Sequence, residues 1–230
     1  MDAWGRLNAE IVRCDLCPRL RRWCTEIART KRRAFRDEEY WGRPVPGFGD
    51  RAARVLLVGL APAAHGANRT GRMFTGDESG NWLYAALHRA GLSSRDVSIG
   101  RDDGLALHGA FITATCRCAP PDNKPTPSEI ATCGRYLDRE IDLLLRVRVV
   151  VALGGIAWAA VVRRAARVAP GALPRPRPRF GHAAETTLVL RRGGPPVTLL
   201  GSYHPSRQNT NTGRLTRPML DAVLRRAAAI

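Results

Sequence analysis

Residues 55–77 read VLLVGLAPAAHGANRTGRMFTGD, and this stretch decides the fold. Its first six residues form an apolar run that predicts a buried strand. The run ends at Ala61-Pro62 in a loop rich in Gly, Asn, Thr and Arg, and we predict that a helix begins near Ser79. Such a loop offers N–H and guanidinium groups to an anion, while Phe74 offers a ring face and Asp77 a carboxylate. This mixture is typical of a ligand site.

Strands and helices alternate along the rest of the chain. Further strands are predicted at Ala110–Thr115, Arg148–Leu153, Thr187–Leu190 and Val197–Gly201. Helices are predicted at Asp2–Val12, Arg19–Arg36, Ser79–Ala90 and Thr126–Leu145, from Gly155 to Val168, and from Thr216 onward. Alternation of this kind predicts an α/β fold with a mostly parallel sheet covered on both faces. Ligands then bind beyond the carboxyl ends of the strands, where each unusual loop of this chain begins.

Composition favours one soluble domain spanning residues 1–230. The chain is 44% hydrophobic and 6% aromatic, and 230 residues are enough for one substantial core. Residues 1–50 contribute a basic helical segment and a cysteine pair to that domain. No stretch has the apolar length of a membrane span, and the N-terminus lacks a secretory pattern, so we expect a cytoplasmic, nucleoid-associated protein.

The net charge of +17 arises from 37 basic and 20 acidic residues, and only Lys31 and Lys124 are lysines. A field of this size favours a polyanionic partner, and the planar guanidinium group suits phosphates. Nucleic acid is therefore the first expected partner. The alternative is that arginine content reflects a GC-rich coding sequence and says little about chemistry.

Cysteines cluster in a way that indicates a metal or buried thiols rather than disulfides. The six cysteines lie at positions 14, 17, 24, 116, 118 and 133. Cys14 and Cys17, together with Cys118 and Cys133, make a four-thiolate set that either zinc or a [4Fe–4S] cluster would accept. The other two are interpreted as small buried hydrophobes, although Cys116 could replace Cys118.

Three long motifs make the chain resemble a known family. GLAPAAHG, NRTGR and FTGD within residues 59–77 look like the first motif of the type-B (family five) uracil-DNA glycosylases. HPSRQNTNTGRLT at residues 204–216 looks like the second motif, and RCAPPDNKP at residues 117–125 resembles the segment between them. The four cysteines of the proposed set match the iron–sulfur ligands of that family.

The resemblance implies a monomeric, monofunctional DNA glycosylase that initiates base excision repair. Its expected substrates are DNA containing uracil and other deaminated bases, namely hypoxanthine, xanthine and hydroxymethyluracil. The resemblance further implies a three-layer uracil-DNA glycosylase fold with a four-stranded parallel sheet. It also implies a structural [4Fe–4S] cluster and no redox cofactor. The alternative is a non-catalytic iron–sulfur or zinc protein that binds nucleic acid.

Two positions depart from the pattern of the uracil-specific relatives. Ala61 stands where those relatives carry an acid in the first turn, so a catalytic carboxylate must come from elsewhere, and Asp77 is the candidate. Ala114 stands where they place the asparagine that reads the base edge, which predicts relaxed base discrimination. Without the resemblance, Asp77 could simply cap the helix that follows it.

Hydrolysis of an N-glycosidic bond develops negative charge on the departing base, which must first leave the base stack. Phe74 can stack on the flipped base, with an ordinary core residue as the alternative. His204 can hydrogen-bond to the base carbonyl oxygen, with a structural histidine as the alternative. Asp77 would orient the attacking water or stabilise the cationic sugar. Asn123 would supply amide contacts to the base, although an asparagine in such a loop can also serve only to form a turn.

Backbone and basic groups complete the predicted site. The N–H groups of Gly59, Ala61 and Ala63 are expected to add contacts to the base. Four arginines in the two motifs are expected to bind DNA phosphates, with solvated surface as the alternative; they are Arg69, Arg72, Arg207 and Arg214. Leu215 follows the second motif and is a candidate wedge into the duplex.

Overall fold

Six strands form one sheet in the computed structural model, which describes residues 1–230. The strands are β1 (Phe48–Gly49), β2 (Val55–Gly59), β3 (Ala110–Ala114), β4 (Val149–Leu153), β5 (Glu185–Val189) and β6 (Pro196–Ser202). Their order across the sheet is β1-β3-β2-β4-β6-β5. The four central strands are parallel, and each edge strand is antiparallel to its neighbour. The α/β prediction is confirmed, but the predicted count of four strands is wrong because an antiparallel strand extends each edge.

Helices cover both faces of the sheet. They are α1 (Ala3–Arg13), α2 (Pro18–Thr30), α3 (Ala67–Thr70), α4 (Glu78–Arg89), α5 (Pro127–Leu143), α6 (Gly155–Val168), α7 (Arg207–Asn211) and α8 (Arg217–Ala228). Apolar residues of α1, α5 and α6 share a core with one face of the sheet. Those of α4 and α8 share a second core with the opposite face. The sheet is therefore buried between two layers of helices.

Alternation of side chains along β2 explains how one strand serves both cores. Leu56 and Val58 lie in the core beneath α1, α5 and α6. Val55 and Leu57 lie in the core beneath α4 and α8. Successive side chains of a strand point to opposite faces, so a strand buried on both faces must be apolar throughout. This is why the run beginning at Val55 is continuous rather than alternating.

The start of α5 is held by the capping box that its sequence predicts. Thr126 accepts a hydrogen bond from the Glu129 N–H at 3.2 Å, and the Glu129 carboxylate accepts one from the Thr126 N–H at 2.8 Å. Arg19, in the first turn of α2, donates to both oxygens of the same carboxylate at 2.8 and 2.7 Å. Since Cys17 caps α2 and Cys133 lies in α5, this ion pair joins the two cysteine-bearing helix starts.

No helix has the length and apolar character needed to cross a membrane.

Candidate active site

The four parallel strands end together at one edge of the sheet. Gly59 at the end of β2 pairs with Ala114 at the end of β3, and Leu153 of β4 pairs with Ser202 of β6. The loops that leave these positions therefore enclose one crevice. Such an edge is where ligands bind in parallel α/β sheets.

Phe74 and His204 meet in this crevice although they lie far apart in the sequence. Their rings stack with centroids 5.6 Å apart and planes inclined by 29°. Phe74 has a left-handed backbone, with φ of 53°, which is strained for a residue other than glycine. Its ring lies over Gly59, where an added Cβ would stand 2.8 Å from a ring carbon. Glycine at the end of β2 thus makes room for the aromatic platform.

His204 is a neutral imidazole at physiological pH. It follows β6 and lies beside Gly154, where an added Cβ would stand 3.7 Å from the His204 Cβ. Burial of the ring lowers the pKa of His204 to about 4. The Asn209 side chain donates to the His204 carbonyl oxygen at 2.8 Å and holds the loop in place. A neutral imidazole can donate one N–H to a ligand oxygen without a change of charge.

Asp77 is both a helix cap and the last residue of the loop between β2 and α4, residues 60–77, which we call the ligand loop. One of its carboxylate oxygens accepts the Gly80 N–H at 2.9 Å, which makes Asp77 the N-cap of α4. The other oxygen faces Gly66, where an added Cβ would stand only 1.9 Å from it. Burial raises the pKa of Asp77, and the hydrogen bonds and nearby Arg69 and Arg207 only partly oppose this effect.

Two backbone N–H groups stand free where β2 opens into the loop. Neither Ala61 nor Ala63 donates a backbone hydrogen bond to another residue, and Pro62 between them has no N–H. Both alanines are only half-buried. The loop is closed behind them by the Asn68 N–H, which donates to the Ala63 carbonyl at 3.0 Å. These N–H groups are available to an acceptor on a ligand.

Asn123 lies in the short turn Pro121–Asn123 that follows β3. Its backbone is left-handed, with φ of 56°, which asparagine tolerates better than most residues. The side chain is exposed and makes no hydrogen bond within the chain. Its amide is therefore free for a ligand.

Arg69 holds the ligand loop together from inside, and its predicted phosphate contact stays a prediction. Its guanidinium group donates to the carbonyls of His65 and Gly76 at 2.8 and 2.9 Å and forms an ion pair with Glu38. It also lies 3.9 Å over the Phe35 ring. Only 8% of the residue is exposed. Each of the three guanidinium nitrogens thus has a partner within the chain.

Arg72 is likewise internal, and its predicted phosphate contact also stays a prediction. It is 3% exposed and pairs with the equally buried Asp103 at 2.6 Å. Its other donors reach the side chains of Thr75 and Ser98 at 3.0 and 2.7 Å and the Arg101 carbonyl at 3.1 Å. This network fastens the ligand loop to the segment between α4 and β3.

Arg207 and Arg214 remain on the surface beside the crevice. Arg207 is exposed and lies 3.8 Å from the Glu78 carboxylate at the start of α4. Arg214 is exposed and lies 4.6 Å over the ring of Tyr203, the residue before His204. Leu215, by contrast, is fully buried in the core beneath α4 and α8, so its predicted role as a wedge is wrong.

The six cysteines are all free. Cys14, Cys116 and Cys133 lie in or against the core beneath α1, α5 and α6, whereas Cys17, Cys24 and Cys118 lie in or against a small separate cluster with Leu20. The Cys24 thiol donates to the Ala119 carbonyl at 3.5 Å. The neighbouring thiols of Cys133 and Cys24, together with burial, raise the pKa of Cys116 and Cys118 respectively. Burial, and then the charge of Cys133, raises the pKa of Cys17 to about 11. As the side chains are placed, no three His, Cys, Asp or Glu residues come close enough to hold a metal ion. The thiol donors themselves suit a four-thiolate group.

Cys133 has the surroundings of a thiolate. The hydrogen bond from Cys116, the Arg117 guanidinium and the Arg117 N–H, which donates to the Cys133 sulfur at 3.2 Å, lower its pKa to about 7. Arg117 is fully buried and pairs with Glu140 of α5 at 2.6 Å. The Arg117–Glu140 pair therefore fastens the loop after β3 to the helix that carries Cys133.

Comparison with known proteins identifies the class. The chain belongs to the uracil DNA glycosylase superfamily, whose family model matches residues 46–228. It is similar to two type-5 uracil-DNA glycosylases. It is 56% identical to the one from Mycobacterium tuberculosis over 96% of this chain and 79% of the relative. It is 54% identical to the one from Thermus thermophilus over 94% of this chain and 93% of the relative.

Within the superfamily, the chain groups with the type-5 enzymes. A type-4 uracil-DNA glycosylase from Pyrobaculum aerophilum is only 29% identical, over 87% of this chain and 82% of the relative. The protein is accordingly an enzyme, a hydrolase that acts on N-glycosyl bonds.

Three residues of the crevice were not singled out from the sequence. Gly66 makes room for Asp77, Gly154 lies against His204, and Tyr203 carries Arg214 on its ring. A signal existed for the two glycines, because each lies in a loop that follows a strand. No signal marked Tyr203, since its contacts come from segments distant in the sequence.

Proposed function

We propose that this protein removes uracil from DNA by hydrolysing the N-glycosidic bond, without cleaving the strand, and so initiates base excision repair. The observation that carries the proposal is the stacking of the Phe74 and His204 rings where the parallel strands end, with the buried carboxylate of Asp77 at the end of the loop that carries Phe74. Membership of the uracil DNA glycosylase superfamily supports the same chemistry.

Stabilisation of the departing base is the main task of the site. Phe74 offers the ring face on which a flipped base stacks. His204 offers a neutral N–H to the base carbonyl oxygen, where negative charge grows as the bond breaks. The free N–H groups of Ala61 and Ala63 add donors that need no reorganisation. The amide of Asn123 supplies a further polar contact to the base from the neighbouring loop.

Asp77 supplies the only carboxylate that we assign to the reaction. Position 61, at the end of β2, holds a methyl group and no acid. The Asp77 oxygen that faces Gly66 is free of the cap and points into the ligand loop. There it would orient the attacking water or stabilise the cationic sugar. Arg207 and Arg214 would bind the phosphates of the strand.

The substrate range should extend beyond uracil to hypoxanthine, xanthine and hydroxymethyluracil. Ala114 ends β3 beside Gly59, so both neighbouring strand ends lack a polar side chain that could read a base edge. A pocket without such contacts rejects other bases only weakly. We expect Ala114→Asn to narrow the range toward uracil. Ala114→Leu is the control: leucine has similar bulk to asparagine but no amide, so it shows how much of the effect comes from lost space in the pocket rather than from recognition of the base.

We further propose that Cys14, Cys17, Cys118 and Cys133 hold a structural [4Fe–4S] cluster. The four thiols come from the junction of α1 and α2, the loop after β3, and α5. A bound cluster would link these three segments, and we assign it no step in the reaction. A visible charge-transfer band in the purified protein supports this assignment, whereas a colourless protein with stoichiometric zinc contradicts it.

The decisive experiment uses duplex DNA that contains one uracil. Wild-type protein should produce an abasic site that alkali converts to a strand break. His204→Ala should slow excision by about 100-fold or more, with little change in DNA binding. His108→Ala, an exposed histidine away from the crevice, is the matched control and should act like the wild type. An unchanged strand at high wild-type excess would favour a non-catalytic nucleic-acid-binding protein.

A further inference from the structure

A proline- and arginine-rich segment before β5 has no role in the proposed chemistry. Residues 174–180 read PRPRPRF, and we call this segment the basic arm. Its three arginines, Arg175, Arg177 and Arg179, are all exposed. The intervening prolines restrict the backbone, so binding of a ligand would cost this segment little backbone entropy.

The basic arm is anchored at its end nearest the crevice. The indole N–H of Trp158 donates to the Pro178 carbonyl at 3.1 Å. The Phe180 ring meets the rings of Trp158 and Tyr203 edge to face, with centroids 6.1 Å apart in each pair. Because Tyr203 directly precedes His204, the basic arm ends beside the base-binding crevice.

The arginines of the basic arm differ from Arg164 and Arg167 of the neighbouring helix in having no acidic partner. Arg164 and Arg167 in α6 form ion pairs with Asp138 and Asp142 of α5. The basic arm contains no acidic residue, and its arginines form neither ion pairs nor side-chain hydrogen bonds. Unpaired guanidinium groups held on a stiff segment are suited to an external anion.

We propose that the basic arm binds backbone phosphates of the DNA strand that flanks the flipped nucleotide. The proposal rests on the proposed glycosylase function, because it is the nearby crevice that favours DNA as the partner. Arg214, which lies over the Tyr203 ring, extends the same positive surface toward the second motif. Together these groups take the place of Arg69 and Arg72, whose guanidinium groups are buried.

The test compares two triple variants that remove equal charge. One replaces Arg175, Arg177 and Arg179 with alanine. The matched control replaces three exposed, unpaired arginines at the amino ends of β4 and β6, the opposite end of the sheet; they are Arg146, Arg148 and Arg192. Binding to a uracil-free duplex is measured by fluorescence anisotropy over a series of salt concentrations, after equal thermal unfolding of all proteins has been verified.

The basic-arm variant should bind at least about tenfold more weakly at low salt. The slope of log K against log salt should become shallower by about 2 to 3, since each phosphate contact contributes about 0.9. The control should keep a slope near that of the wild type. Replacing the same three arginines by lysine should restore the slope, because lysine keeps the charge.

Equal slopes in the basic-arm variant and the control would overturn the proposal. Failure of lysine to restore the slope would also overturn it. Both results are independent of catalysis, because the duplex contains no uracil. If the wild-type protein excises uracil but the basic-arm variant keeps the wild-type salt slope, the proposed phosphate binding by the basic arm is refuted and the glycosylase function is not. That result would favour a different partner for the basic arm, such as an acidic protein segment. Absence of wild-type excision would refute the proposed function instead.

Discussion

The carboxylate of Asp77 occupies the space in which a side chain at position 66 would stand, because an added Cβ there would lie 1.9 Å from its oxygen. Gly66 therefore allows a charged group to enter the ligand loop while the other carboxylate oxygen caps α4. In the sequence, a helix cap and a catalytic carboxylate are alternative roles for Asp77; the structure shows the cap and leaves the second oxygen against Gly66, where it is not used by the cap. The two roles can be separated by choosing what replaces the carboxylate.

Asp77→Asn should keep the cap and lose the charge. Asparagine caps helices as well as aspartate does. The free energy of unfolding of the Asp77→Asn protein at neutral pH should therefore equal or exceed that of the wild type. Asp77→Ala should lose about 1 kcal/mol of stability along with the cap. Both variants should excise uracil at least about tenfold more slowly than the wild type, in single-turnover assays. An Asp77→Asn protein with wild-type excision would remove Asp77 from the chemistry.

The pH profile of excision should be governed by Asp77 rather than by His204. Burial raises the pKa of Asp77, so its protonation on acidification should remove the required charge at a pH above its ordinary value of 3.8. His204 stays neutral down to about pH 4, since burial lowers its pKa to about 4. We expect one acid limb in the single-turnover rate, and we expect Asp77→Asn to abolish it. An acid limb that persists in Asp77→Asn would assign it to another group.

The same shift affects the stability of the fold. A raised pKa in the folded state means that the ionised Asp77 carboxyl destabilises the fold at neutral pH. The cost disappears as pH falls below 3.8, where the carboxyl is protonated in both states. The stability advantage of Asp77→Asn over the wild type should therefore be present at pH 7 and vanish in acid.

Arg72→Met should unfold more readily without changing how salt affects DNA binding. The substitution removes the cation that pairs with the buried Asp103 carboxylate and leaves it only the N–H groups of Ile99, Gly100 and Leu105. Loss of one partner of a buried ion pair costs about 3 to 5 kcal/mol, and these N–H donors should hold the cost near the lower figure. Burial alone would raise the pKa of Asp103, but Arg72 and three backbone N–H groups hold it well below its ordinary value. The stability that this pair contributes should be present at neutral pH and be lost below pH 3.8. Urea unfolding measures the loss of stability. A shallower slope of log K for DNA binding against log salt in Arg72→Met would instead indicate that Arg72 contacts DNA.

Serine substitutions should divide the six cysteines into two sets. Cys14, Cys17, Cys118 and Cys133 are expected to be required for the visible absorption of the cluster, whereas Cys24→Ser and Cys116→Ser should retain it. Iron and sulfide content provide a second measurement. Because Cys116 contacts Cys133 and Cys24 contacts Cys118, the spare thiols are stringent controls. If Cys116→Ser loses iron and Cys118→Ser retains it, Cys116 rather than Cys118 is the fourth ligand.

Local sequence patterns were sufficient for most elements of the fold. The apolar runs at β2 and β4 and the capping box at Thr126 lie within a few residues of the predicted positions. Phe48–Gly49 was missed as a strand because two residues are too short to show a period, and its pairing with β3 exists only in the folded sheet. The short helices α3 and α7 were missed for the same reason of length.

The sequence by itself determined the α/β class, the edge of the sheet where the motifs meet, and the family to which the chain belongs, because these follow from periodicity and from contiguous motifs. Only the tertiary structure decided which arginines of the motifs are buried and which are exposed. Arg69 and Arg72 belong to the same motif as Asp77, yet Glu38 and Asp103, distant in the sequence, withdraw them into the interior. Burial and charge pairing depend on residues that folding brings together, and for this reason no local pattern could distinguish these arginines from Arg207 and Arg214.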